Sequence, residues 1–128
     1  MLTDTRTATV LPVSDMERAT HFYTDQLGLT QSGTSADGSR RFDLGFGNEL
    51  CLLPTEEGSQ SKHTVLSFEV SDISSEIRQL EARGVRFEDY DMPDLKTVDH
   101  IADMGGEKAA WFCDSEGNYL CLHEVPGR

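Results

Sequence analysis

Two short motifs occur twice in this 128-residue chain, and this internal repeat constrains the fold more than any other feature. The tripeptide VSD at 13–15 recurs at 70–72, and GNELCL at 47–52 recurs as GNYLCL at 117–122. The motifs keep their order and fall at the same places in a predicted series of strand, capped helix, glycine stop and three further strands. Such self-similarity indicates a duplicated supersecondary unit. We therefore expect an α+β fold built from two βαβββ units of roughly 60 residues each.

Each unit contains one predicted helix. Ser14 and Glu17 form an S-x-x-E pattern, which is typical of a helix capping box. Gly28 follows the apolar stripe of this helix, where a left-handed C-terminal cap is favoured. The helices are predicted at about Asp15–Leu27, and from a cap at Asp72 to just before Gly84, with Ile73, Ile77 and Leu80 as the second buried stripe.

Strands are predicted where β-rich or alternating segments are bounded by turn residues. The first unit, at about 7–53, has them at Thr7–Val13, Leu29–Gly33, Arg40–Phe46 and Glu49–Leu53. The second unit, at about 63–124, has them at Thr64–Val70, Val85–Tyr90, Lys108–Cys113 and Asn118–Glu124, with a long loop at Asp91–Gly106. At this length the two units are expected to form a single domain, 1–128.

Composition excludes several classes of function. The formal net charge is −12, which disfavours binding to the phosphate backbone of nucleic acid. The chain lacks an apolar run of the roughly 18 residues that a membrane span needs, and its start lacks the pattern of a signal peptide. Its three cysteines do not have the spacing of a disulfide framework or a zinc knuckle. We expect a cytoplasmic protein with reduced thiols that binds neither nucleic acid nor membrane.

The repeated motifs, with their flanking residues, resemble the vicinal oxygen chelate superfamily of glyoxalases, bleomycin resistance proteins and extradiol dioxygenases. The resemblance is carried by VSDMERA at 13–19, FY at 22–23 and LGL at 27–29, and by FEVSDI at 68–73, LEARGV at 80–85 and AWFCDSEGN at 110–118. It implies that each βαβββ unit forms a half-open sheet and that paired units enclose a cup. It also implies a divalent metal held by His or Glu side chains.

The positions that this resemblance assigns to metal ligands are Ala8, Cys51, Val65 and Cys121. Alanine and valine have no lone pair to donate, so half of the set is lost. We therefore expect no metal and no cofactor. Two thiols remain, and with His123 they leave open a zinc site or a pair of redox-active cysteines.

The leading hypothesis is a metal-free protein that binds a small aromatic or cationic molecule in an apolar cup, as a bleomycin resistance protein does. By alternation from the ligand positions that the resemblance assigns, the wall is predicted to include Ala8, Val10, Pro12, Cys51, Leu53, Val65, Ser67, Cys121 and His123. His100, in the long loop, and Trp111 are further candidates, although the sequence also allows Trp111 to pack beneath the second helix. The alternatives are a metal-dependent lyase, isomerase or dioxygenase with unusual ligands, and a dimerising module with a vestigial cup. Exposed sheet edges predict a homodimer.

Overall fold

The computed structural model describes residues 1–127 and shows two four-stranded mixed sheets, one from each half of the chain. Contacts divide the chain into two units. The first comprises Met1–Gln60 and Ser115–Asn118, and the second comprises Ser61–Asp114 and the residues after 118. The predicted α+β architecture with one βαβββ-like unit in each half is confirmed. Within residues 1–127, no helix has the length and apolar character needed to cross a membrane.

The first unit closes by pairing its first strand with its last. Its elements are β1 (Thr7–Val13), α1 (Met16–His21), a π-helical turn (Phe22–Gln26), β2 (Thr30–Thr34), β3 (Arg40–Gly45) and β4 (Asn48–Pro54). The strand order is β1-β4-β3-β2, with β1 parallel to β4 and the other pairs antiparallel. A parallel pair needs a crossover connection, and α1 lies within it.

The α1 helix begins one residue later than the predicted capping box requires. Asp15, rather than Ser14, is the N-cap, and its carboxylate accepts a hydrogen bond from the backbone N–H of Arg18. Ser14 instead donates its backbone N–H and its hydroxyl to Glu116. The predicted capping box is therefore wrong, whereas the predicted left-handed cap at Gly28 is confirmed by its φ of 75°.

The apolar core of the first unit lies between α1 and one face of the sheet. Leu11 of β1, Phe42 of β3 and Leu50 of β4 are each at most 1% exposed. Tyr23, in the π-helical turn, is fully buried and packs on Phe42 with ring centroids 6.2 Å apart. Because side chains alternate along a strand, the residues between these positions face away from the helix.

The second unit repeats this arrangement with an insertion. Its elements are β5 (Thr64–Glu69), α2 (Ile73–Ala82), β6 (Asp91–Met92), β7 (Leu95–Lys96), β8 (Ala102–Met104), β9 (Glu107–Cys113) and β10 (Tyr119–Glu124). The order is β5-β10-β9-β8, with β5 parallel to β10, and β6 and β7 form a separate hairpin. Asp72 caps α2 as predicted, by accepting from the backbone N–H of Ser75.

The predicted strand at 85–90 and the predicted loop at 91–106 are both wrong. Phe87 makes only an isolated bridge, opposite Phe112 of β9. Ala102 of β8 then pairs with Ala109 of the same strand. The edge of this sheet is thus begun by Phe87 and continued by β8, with the β6–β7 hairpin between them. Val85 and Phe87 alternate with polar residues, as they would in a strand, and both side chains are buried. Burial, however, does not require a full ladder of backbone hydrogen bonds.

The two copies of the LCL motif occupy corresponding places. Cys51 of β4 lies between Val10 and Arg41 of the neighbouring strands. Cys121 of β10 lies between Ser67 and Trp111. In both copies the flanking leucines face the helix and are almost fully buried. Residues at matching positions of the two repeats therefore occupy matching positions in the two sheets.

Glu116 is a buried polar support for the start of α1 within the first unit. The side chain of Glu116 is fully enclosed. Its carboxylate accepts hydrogen bonds from the backbone N–H of Asp15 and from Nε of Arg18, the latter at 2.7 Å. Burial alone would raise the pKa of Glu116. The hydrogen bonds from Arg18, Asp15, Ser115 and Ser14 outweigh it and lower this pKa from 4.5 to about 2.

We predict that Glu116→Gln reduces the free energy of unfolding by about 2 kcal/mol at pH 7, because hydrogen bonds to a buried charge are lost. A depressed pKa stabilises the fold above the unfolded value, and this contribution disappears as the pH falls from 4.5 to about 2. Urea unfolding at several pH values measures the effect, with the exposed Glu56→Gln as control. An equal deficit at pH 7 and pH 2.5 would contradict this account.

Candidate ligand-binding site

The face of the first sheet that points away from α1 is defined by the strand pairing. Arg40 lies on the helix side, since its guanidinium donates to Thr20 and Glu17 of α1. Its neighbour Arg41 must therefore point to the other side, together with its partner Cys51. We call this side the open face of the first sheet.

The five wall residues predicted for the first unit all lie on this face. Ala8 is paired with Glu49, Val10 with Cys51, and Pro12 with Leu53. Val10 is 54% exposed, so the middle of this face presents apolar surface to solvent. These five positions were predicted by alternation from the places that the family resemblance assigns to metal ligands: Ala8, Val10, Pro12, Cys51 and Leu53.

Arg41 and Glu49 also belong to the open face of the first sheet, and the sequence reasoning missed them. Nη1 of Arg41 lies 3.7 Å from Oε1 of Glu49. The alternation of Arg41 with Phe42 was visible in the sequence, but the alignment of Arg41 with Cys51 depends on the register of two strands. Phe46, expected at the end of the same strand, lies beyond it in a turn with φ of 54° and is fully exposed.

The second sheet has an open face of its own. Glu124 of β10 lies on the helix side, because its carboxylate accepts from the backbone N–H of Ile73 at the start of α2. Cys121 and His123, at odd positions of the same strand, therefore point away from α2. Ser67 is paired with Cys121 and shares this face. We call it the open face of the second sheet.

Val65 lies where the alternation of β5 is interrupted. Thr64 is opposite Tyr119 and Leu66 is opposite Leu120, so Val65 is an extra residue in a β-bulge. Thr64 takes a place beside Trp111 on the open face and accepts a hydrogen bond from its indole. The prediction that Val65 and Ser67 both point inward assumed regular alternation along β5, and the bulge at Val65 interrupts that alternation.

Trp111 lies on the open face of the second sheet, directly opposite Cys121. Its Nε1 donates to Oγ1 of Thr64 at 3.1 Å, and its ring packs edge-on to Tyr90 with centroids 5.7 Å apart. The residue that packs on the helix side is Phe112, which is fully buried. The indole is held at one edge by a hydrogen bond and at another by an aromatic ring, and it remains only half-buried.

His123 belongs to a short polar chain on the same face. Oγ of Ser67 lies 2.6 Å from Nδ1 of His123, and Nε2 lies 3.5 Å from Oε1 of Glu69. A ring with its proton on Nε2 would accept from the Ser67 hydroxyl and donate toward Glu69. This chain provides polar groups at the margin of the surface formed by Trp111 and Cys121.

His100 does not lie on either open face. Its Nε2 is 3.2 Å from Glu81 of α2, and its Nδ1 is 2.9 Å from Asp89. Its ring also contacts Phe87, which pairs with Phe112 on the helix side of the sheet. The predicted role of His100 in closing over a ligand thus has no support in its position, since the imidazole joins the inserted segment to the outer side of α2.

Burial disfavours the thiolate forms of Cys113 and Cys121. Burial raises the pKa of Cys113 to about 11, with repulsion from Glu88 adding to the effect. Burial also raises the pKa of Cys121. Metal binding requires the thiolate, so both shifts oppose it.

The donor set also fails to match a metal of the kind that the resemblance implies. Ala8 and Val65 offer no donor atom, and the other two positions are cysteines. Within residues 1–127, no group of three or more His, Cys, Asp or Glu side chains is arranged to hold a metal ion. The residues present do not fit the metal.

The fold, the duplicated register and the open sheet faces are those of a known family. The model of the glyoxalase/bleomycin resistance protein/dioxygenase superfamily matches residues 6–122, and the chain belongs to this superfamily. No curated protein matches the chain significantly.

Several solved structures share the fold at low sequence identity. TnmS3, an antibiotic binding protein from Streptomyces sp. CB03234, is 22% identical with a TM-score of 0.69, and the match covers 97% of this chain and 98% of that one. UcmS2 is 18% identical with a TM-score of 0.71, covering 92% and 96%. Lactoylglutathione lyase from Agrobacterium tumefaciens is 18% identical with a TM-score of 0.70, covering 94% and 93%.

We predict that Cys113 reacts with iodoacetamide about 100-fold more slowly at pH 8 than a thiol of ordinary pKa, since its pKa is raised from 9.0 to about 11. Its rate should continue to rise up to about pH 11, as the thiolate forms. Mass spectrometry of peptides after timed labelling measures each cysteine separately, with the urea-unfolded chain as reference. Equal rates for Cys113 in the folded and unfolded chain would refute the assignment.

Proposed function

We propose that this protein binds a small organic molecule with an aromatic portion on an open sheet face, without using a metal. The observation that carries the proposal is Trp111, a half-buried indole held in place on an open sheet face. A solvent-accessible aromatic ring that is fixed by its neighbours provides a large contact area and loses little conformational freedom when a ligand stacks on it.

The surroundings of Trp111 suit the same purpose. Cys121 and Ala109, both small and buried, lie beside Trp111 on this sheet face. The paired side chains of Ser67 and His123 offer hydrogen-bonding groups at its edge. Burial of apolar surface contributes roughly 25 cal/mol per Å² before the cost of association. Binding would therefore come mainly from apolar contact, with few polar anchors. The likeness to TnmS3, an antibiotic binding protein, is consistent with a role in sequestering or carrying such a molecule.

The second candidate is a metal-dependent lyase, isomerase or dioxygenase of the same superfamily. The likeness to a lactoylglutathione lyase favours it, and the replacement of the expected ligands by Ala8 and Val65 opposes it. Metal analysis of protein purified without added metal separates the two. One bound metal per chain that is lost in Cys51→Ser or Cys121→Ser would favour the enzyme.

A library of aromatic compounds screened by thermal shift tests the proposed function, and the hits would be titrated by tryptophan fluorescence. We expect Trp111→Ala to weaken binding of a hit by about 2 kcal/mol, roughly 30-fold, as for an aromatic hot spot. The control is Phe46→Ala, which removes a fully exposed ring outside both open faces. Hits whose affinity, measured by calorimetry, is unaffected by Trp111→Ala would argue against this site. A chain that binds no aromatic compound would instead favour an accessory module with a vestigial cup.

We further propose that the protein is a homodimer. Each four-stranded sheet has two edge strands, which are β1 and β2 in the first sheet and β5 and β8 in the second. Unpaired edges invite association, and proteins commonly cover them. Sedimentation equilibrium should give a mass of two chains. A mass of one chain that does not change with concentration would contradict the proposal.

A further inference from the structure

The open face of the first sheet carries one basic side chain among its paired strand residues, Arg41 of β3. The charged residues that share this face are Asp43 and Glu49, both acidic. Arg41 lies opposite Cys51, as Trp111 lies opposite Cys121 in the second sheet. The repeat therefore places a guanidinium in the first unit where the second unit has the indole on which the proposed function rests.

The guanidinium of Arg41 has donors that the protein does not use. Its distance of 3.7 Å from Glu49 exceeds the roughly 2.7–2.9 Å of a charge-assisted hydrogen bond. Its Nε is enclosed without a hydrogen-bond partner, while 39% of the side chain is exposed. The neighbouring Arg40 differs, because both of its terminal nitrogens donate to side chains of α1. Arg41 thus lacks the close acceptors that a structural arginine has.

Gly33 of β2 makes room for this guanidinium. Gly33 is paired with Arg41, and a Cβ added to it would lie 2.7 Å from Nη2 of Arg41. The φ angle of Gly33 is not positive, so its backbone conformation does not call for glycine. The absence of a side chain at Gly33 instead allows the guanidinium to lie over this strand.

We propose that Arg41 anchors the carboxylate of an aromatic monocarboxylic acid on the open face of the first sheet, an inference that rests on the proposed binding of a small organic molecule. A planar guanidinium matches a carboxylate with two parallel hydrogen bonds. The aromatic body would lie on the apolar surface of Val10 and Cys51. Asp43 and Glu49 repel a second negative charge, so this face favours a monoanion over a dianion.

The net charge of −12 does not oppose this contact strongly. Charges are screened over about 8 Å at physiological ionic strength, so most of the acidic residues act weakly on an anion that touches the guanidinium. Glu49 is the nearest competitor for Arg41. Its removal should therefore strengthen binding of the acid.

The test compares 2-naphthoate, 2-naphthamide and naphthalene-2,6-dicarboxylate by isothermal titration calorimetry. We expect the wild-type chain to bind 2-naphthoate at least tenfold more tightly than either of the others. Arg41→Gln should remove the preference for 2-naphthoate over 2-naphthamide and leave the amide affinity unchanged. Gly33→Ala should reduce the preference for 2-naphthoate, because it displaces the guanidinium without removing its charge. Glu49→Gln should increase that preference. Arg40→Gln, on the helix side, is the matched control and should show the same preference as the wild-type chain.

The possible failures are distinguishable. If the naphthoate and the naphthamide bind equally to the wild-type chain, the role of Arg41 is overturned and the proposed function stands. If neither binds, the role of Arg41 is overturned, and the proposed function is decided separately by the library screen and by Trp111→Ala. A preference that persists in Arg41→Gln and in Gly33→Ala, with thermal melting showing that both variants are folded, would place the acid elsewhere and also overturn the inference.

Discussion

The pairing of the first strand with the last strand in each repeat is the constraint on which the rest of the structure depends. In the first unit β1 runs parallel to β4, and in the second β5 runs parallel to β10. A parallel pair cannot be joined by a tight turn, so a longer connection must run from one end of the pair to the other. In each unit that connection contains a helix. That helix covers one face of each sheet with apolar contacts. It leaves the opposite face open, and Cys51, Cys121 and Trp111 lie there.

Duplication gave the two open faces one geometry and different chemistry. Cys51 and Cys121 occupy the same place in their sheets, and each has a strand partner on either side. In the first unit the antiparallel partner is a charged arginine, and in the second it is an indole. The two leucines of each LCL motif are the same in both copies and are buried on the helix side, where packing tolerates few changes. The open side is free of that requirement, and there the copies have diverged in polarity.

A carboxylate from later in the chain contacts the start of the helix in each unit. In the first unit the carboxylate of Glu116 accepts from the backbone at the start of α1, with Arg18 beside it. In the second unit Glu124 accepts from the first N–H of α2. Both helices are thus supported at their N-termini by a carboxylate from a distant part of the chain, in addition to their own aspartate caps. A short helix is marginal by itself and depends on such contacts.

The sequence by itself determined the repeat, the β-rich and helical segments, the aspartate at the start of α2 and the left-handed glycine after α1. These features are local, since they depend on spacing and on residues within a few positions of one another. Only the tertiary structure decided that Trp111 faces away from α2, that Arg41 joins the open face, and that His100 lies beside α2. It also showed that β8, after an inserted hairpin, completes the edge that Phe87 begins. The register between strands distant in sequence is set by contacts across the sheet, and a shift of one residue would turn every side chain to the other face.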